Sequence, residues 1–166
     1  MTPEERRAFV RAHRTAVFGY ARANDGPAMS VVYYAMDESD TILVSTLADR
    51  GKAKAVERHQ EVSLCVLDEK WPITYLQVYC HATVDPDPEA AGDLAMRIAG
   101  VMTGRPVDES VRPLVIEGAR KEGRVVLRLR PYATFETPPL HVYEETDLPL
   151  LVRATSASLP WDATTV

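Results

Sequence analysis

The sequence predicts a mainly β domain, an antiparallel barrel with helices on its flanks. Three observations carry that expectation. The apolar period changes from helical spacing to alternation near residue 15. The first β runs are joined by links too short for parallel crossovers. Several runs are apolar on both faces, as a barrel wall must be when something also covers its outside. At 166 residues the chain is most simply one domain, long enough to bury a real core.

Residues 2–13 read as a capped helix. Thr2 with Glu5 makes a capping box, Pro3 takes the tolerated first position, and Phe9, Val10 and His13 share a face. The runs 15–22, 28–36 and 41–46 then alternate, separated by Asn24-Asp25-Gly26-Pro27 and Asp37-Glu38-Ser39-Asp40, both strong turn compositions. After a short cationic helix, 62–67 is apolar on both faces, and Asp68 to Pro72 breaks the pattern before a long strand over 73–84. That strand sets Leu76, Val78, Cys80 and Ala82 against Tyr75, Gln77, Tyr79 and His81, and the second set suits an interface or equally a wet sheet face.

Asp87 and Pro88 open a helix with a stripe of Ala91, Leu94, Ala95, Ile98 and Met102, ending at Gly100 or Gly104. A second helix over 108–121 must carry Pro113 in its first turn or be split by it, and Gly123 stops it. Alternation returns over 124–135, where Val125, Leu127 and Leu129 oppose Arg124, Arg128 and Arg130, as the strand that closes the barrel. Residues 1–136 therefore form the barrel domain. The tail 137–166, broken by prolines yet apolar, is expected to lie extended over the body or a second subunit.

Residues 45–59 hold the densest chemical signal. Arg50, Lys52 and Lys54 place cations in the first turns of a short helix, where the dipole already presents positive charge, and Asp49 is the candidate N-cap. A phosphate would suit free N–H groups, dipole and side chains together, with Gly51 admitting it close to the backbone; a solvated cationic face is the other reading. The stretch is no P-loop, since Thr46 stands at the first glycine position and Ala53 at the Ser/Thr position.

The totals exclude other classes. A net charge of −5, from 19 basic and 24 acidic residues, makes nucleic acid a poor partner. Cys65 and Cys80 sit in apolar runs and read as buried free thiols of a reducing cytoplasm, with a pairing of the two left open. No signal core and no run of about 20 apolar residues is present, so the expectation is a cytoplasmic protein without a membrane span. His13, His59, His81 and His141 lack metal-like spacing, and neither a nucleophile elbow nor a dinucleotide glycine turn occurs.

The order of strands and helices, the run 15–36, the cationic helix, and Glu61 to Val66 followed by Trp71 and the long strand together resemble the pyridoxamine-phosphate-oxidase-like split β-barrel family, closest to its deazaflavin-dependent branch. The resemblance covers about 13–135 and implies a six-stranded antiparallel FMN-binding split barrel that forms a homodimer. It implies that Lys52 holds a cofactor phosphate, helped by Arg50 and Lys54, with Ser45 and Thr46 beside it. Met29, Ser30, Val31 and Val32 would line the ring, while Tyr75 and Gln77 would face the partner or its ligand. Ala55 and Cys80 depart from the family's usual Asn and Gly.

The expectation is a hydride-transferring oxidoreductase that uses the deazaflavin F-420 or FMN on a small organic substrate. Its redox centre would belong to the cofactor, which agrees with the lack of an acid–base dyad in the sequence. Tyr33 and Tyr34 are the candidate proton donors; no catalytic residue is assigned. The alternatives are a binding protein that holds flavin, haem or another ligand without turnover, and a structural dimer with a vestigial site.

Overall fold

The computed structural model describes residues 1–70, 74–136 and 157–163. Helix α1 (Pro3–Ala12) starts on the expected capping box, with Glu5 N–H donating to Thr2 Oγ1 at 3.2 Å and Thr2 N–H donating to Glu5 Oε2 at 2.7 Å. Strands β1 (Thr15–Tyr20), β2 (Ala28–Met36) and β3 (Ile42–Leu47) follow as an antiparallel meander. Then come α2 (Gly51–Arg58), β4 (Glu61–Asp68), β5 (Thr74–Asp85), α3 (Pro88–Thr103), a 3-10 turn, α4 (Arg112–Glu122), β6 (Arg124–Glu136) and β7 (Ala157–Pro160).

The strands pair in the order β3-β2-β1-β4-β5-β6, and β3 also pairs with β6, so six strands close a barrel. Alternation places Phe18, Ile42, Val44, Leu64, Leu76, Val78, Leu127 and Leu129 inside, all fully buried. Helix α2 adds Ala53 and Val56 to the same core. Strand β5 meets β6 with a register shift at Tyr79/Cys80, where Pro131 stands opposite Cys80. A proline has no N–H to give the ladder, and an irregularity is where a long strand tolerates one.

The barrel is split along one seam. Strands β2 and β3 pair only where Tyr34, Ala35 and Met36 face Val44, Leu43 and Ile42. From there β2 stays with β1 back to Ala28, while β3 follows β6 as far as Leu47, so the two strands diverge.

Outside the barrel, α3 and α4 pack on each other and on the sheet through Ala91, Leu94, Ala119, Val126 and Ala35. Their approach is close at Gly92, where an added Cβ would stand 2.6 Å from Ile116 Cγ1. Pro113 lies in the first turn of α4, and Gly123 ends that helix in the left-handed conformation at φ 65°. Two local expectations fail. Asp49 does not cap α2: the N-cap is Arg50, and it makes no side-chain bond to the first turn. The expected stripe of α3 is only half buried, with Ala91 and Leu94 covered but Met102 at 49% exposure.

Of the expected tail, 137–156 and 164–166 lie outside the described residues. The segment 157–163 lies on this chain's own barrel. Strand β7 pairs with the second half of β6, and Trp161 joins the core. The buried Arg6 guanidinium donates to the carbonyls of Trp161 at 2.8 Å and Ala163 at 2.7 Å, and Arg7 bridges Asp40 and Asp162. Among the described residues no helix is long and apolar enough to cross a membrane.

Candidate functional site

Where β2 and β3 diverge, a cavity of about 380 Å³ opens in the barrel wall. Strand β2 supplies one side through Val31, Val32 and Tyr33; Ser45, Lys52 and Arg124 supply the other. Helix α3 forms a third wall with Ala95, Ile98, Ala99 and Met102. Those α3 residues explain the half-covered stripe, because the helix continues past the sheet and presents its apolar face to the opening.

Lys52 spans the split. It sits in the first turn of α2, and its Nζ donates to Ser30 Oγ on β2 at 3.1 Å. Burial, followed by the charge of Arg50, lowers its pKa from the ordinary lysine value. Among the described residues no carboxylate pairs with it, and no side chain caps the first-turn N–H groups. A cation at a helix N-terminus opposes the dipole, so this placement is favourable only with an anion alongside. Ser45 points to the same region, and its Oγ is buried without a hydrogen-bond partner. A buried hydroxyl left unsatisfied costs about 1–3 kcal/mol, which a ligand oxygen would relieve. Gly51 has a packing reason as well, since an added Cβ would lie 3.0 Å from the Tyr20 hydroxyl.

Of the other positions expected at the cofactor, Val31 and Val32 line this cavity and the rest do not. Arg50, Lys54 and Arg58 are exposed and do not border it. At 100° per residue Lys54 falls about 200° from Lys52 around the helix, so one spacing cannot bring both to one cleft. Thr46 is 6% exposed and shares the inward parity of Ile42 and Val44. Met29 and Val31, at 76% and 73% exposure, lie on the outer face of β2 with Tyr33. Tyr75 and Gln77 are half-buried on β5, opposite Leu67 and Cys65, away from the cavity. Across the barrel's outside the registers join Val31, Val17, Cys65, Gln77 and Phe135 in one row.

Tyr34 is buried, and its hydroxyl donates to the Val10 carbonyl at 2.7 Å. Burial raises its pKa, and it does not border the cavity, whereas Tyr33 does. The sequence reading missed Arg124 and the α3 residues Ala95, Ile98, Ala99 and Met102 as cavity residues. Gly123 ending a helix directly before Arg124 was a visible signal for the position, but not for the direction of the side chain.

Residues 2–137 match the family model for pyridoxamine 5'-phosphate oxidase. Among solved structures, a conserved hypothetical protein from Mycobacterium tuberculosis is 22% identical with a TM-score of 0.71, covering 88% of this chain and 94% of that one. An F-420 reductase is 20% identical with a TM-score of 0.60, covering 76% and 93%. The haem storage protein of Vibrio cholerae is 17% identical with a TM-score of 0.55, covering 79% and 91%. A search of curated proteins returns no match. The match over residues 2–137, together with a six-stranded barrel split between β2 and β3, makes this chain a member of the pyridoxamine 5'-phosphate oxidase-like split-barrel family.

Proposed function

We propose that the cavity at the split holds the phosphate end of F-420 or FMN, and that the protein transfers a hydride between that cofactor and a small organic substrate. One observation supports this reading above the rest: Lys52, half-buried at a helix N-terminus and lacking a carboxylate among the described residues, reaches across the split beside the unsatisfied Ser45 hydroxyl. The donor set fits a phosphate, with the Lys52 ammonium, the Ser45 hydroxyl and first-turn N–H groups without a side-chain cap. When bound, the ring supplies the hydride chemistry. The chain's part is to hold the phosphate, present the stretch of β2 that has left β3 to the ring, and keep water off it with the apolar α3 wall.

A second copy of the chain belongs to the same proposal. Met29, Val31, Tyr33 and Leu67 are exposed on the outer barrel face, and a homodimer that covers this face would place Tyr75 and Gln77 at its interface. The rival reading, ligand binding without turnover, is favoured by the likeness to a haem storage protein. Denaturing the purified protein and identifying any released ligand by absorbance and mass separates flavin, deazaflavin and haem. Titration with F-420 and FMN follows, then the reduced cofactor with a panel of quinones, enones and tetrapyrroles. Tight binding with oxidation of the reduced cofactor supports the oxidoreductase; binding without turnover across the panel supports the rival.

A further inference from the structure

We infer that Arg124 is a second anion-holding side chain of the cavity, so that the site grips an organic phosphate from two separate elements. The inference rests on the phosphate reading above and adds a residue that the cationic stretch 50–58 does not contain.

The fold holds the start of β6 against the turn before α2. Gly123 adopts its left-handed cap, the Ala48 N–H donates to the Gly123 carbonyl at 2.9 Å, and Arg124 pairs in register with Leu47. Alternation along β6 sends Val125 and Leu127 into the core and Arg124 outward. At that end of the sheet, outward means the cavity wall, which Arg124 lines beside Ser45 and Lys52. Its Nε donates to Glu122 Oε2 at 2.6 Å. That contact holds the guanidinium plane, and among the described residues no partner takes the terminal Nη groups. A guanidinium carries five donors in a fixed fork, so a plane held at Nε still offers the geometry that matches phosphate oxygens.

The charge balance points the same way. Lys52 and Arg124 border one cavity, Arg50 stands close enough to depress Lys52, and among the described residues Glu122 is the carboxylate paired with this set. Converging cations around an apolar-walled cleft repel one another unless an anion lies between them. An exposed Glu122–Arg124 pair is worth little by itself, so the pair does not account for an arginine on the cavity wall. Arg120, by contrast, is paired with Glu117 on the exposed side of α4 and lines no part of the cavity.

The test uses inorganic pyrophosphate and the full chain at fixed low salt. Addition of pyrophosphate to the unsubstituted protein should shift the NMR signals of the Arg124 Nε–H and the Lys52 amide together. Arg124→Gln should weaken pyrophosphate at least about tenfold, Arg124→Lys, which keeps the charge but not the fork, should recover only part of that loss, and Arg120→Gln should bind as the unsubstituted chain does. Pyrophosphate binding that leaves the Arg124 signal unmoved, equal affinity in a folded Arg124→Gln, or no binding at all would overturn the inference. The cofactor reading fails separately: if pyrophosphate is held by both cations but neither FMN nor F-420 displaces it, the clamp stands and the cofactor assignment falls.

Discussion

Replacing Lys52 with Met removes the ammonium while keeping an unbranched apolar stem, so packing at the mouth of the split changes little. The loss to a bound phosphate is that of one charge-assisted hydrogen bond, about 1.5–3 kcal/mol. At 1.4 kcal/mol per decade this is a roughly 10- to 150-fold weaker Kd. Folding should respond much less. The substitution removes the bond to Ser30 Oγ, worth about 1 kcal/mol net, but it also removes a charge that burial disfavours. Calorimetric titration with FMN and with F-420, at constant ionic strength, measures the first effect, and a thermal melt measures the second. Lys54→Met is the matched comparison: exposed and turned away from the cavity, it should change Kd less than about twofold through screened charge alone. Equal affinity of Lys52→Met and the unsubstituted protein for both cofactors, or a larger loss in Lys54→Met, refutes the reasoning.

The same lysine sets a pH dependence. Its pKa is lowered in the free protein by burial and by Arg50, and a bound anion favours the protonated form. Binding therefore takes up protons on the alkaline side, and affinity should fall as pH rises through the depressed value, before the ordinary 10.5 is reached; Lys52→Met should lose that limb. Gly92→Ala gains helix propensity of about 1 kcal/mol, yet its Cβ would meet Ile116 at 2.6 Å, and overpacking of this kind costs about 1–3 kcal/mol. Urea unfolding should show net destabilisation, with Ile116→Val restoring part of it. Trp161→Ala empties a core position that is 4% exposed and should cost about 3–5 kcal/mol in the same assay. Asp40 is pushed up by burial, but hydrogen bonds from Arg7 and Arg11 hold its pKa below the ordinary carboxylate value. Its contribution is present above the unfolded pKa and lost as pH falls through the folded one. Asp40→Asn, which tolerates the left-handed φ of 63°, should flatten the acid limb of stability against pH.

What was legible in the sequence was local. The Thr2/Glu5 box, the Asp87-Pro88 start, and the glycines ending α3 and α4 act within one helical turn, and the structure shows each of them. Strand alternation revealed the barrel interior because the inward side chains are apolar almost throughout, with Thr46 an exception. The split was expected from the family resemblance alone, since a long-range register decides where β2 leaves β3 and no short pattern encodes it. For the same reason Ala95, Ile98 and Met102 read as core: an apolar helix face does not say whether a sheet or a ligand covers it. The sequence reading set Lys52 and Lys54 on one anion; helical spacing puts them about 200° apart, and tertiary placement shows that Lys52 is the one facing the opening. Strand β7 was unreadable among prolines because its four residues are set by pairing with β6 rather than by their own propensity.

A crystal structure with FMN or F-420 bound tests the central claim most directly. The account predicts the phosphate within hydrogen-bond reach of Lys52 Nζ at the split, with Arg124 on its other side and the ring along residues 29–33 of β2. A phosphate seated on Lys54 and Arg58, or a ring bound away from the seam between β2 and β3, would contradict it.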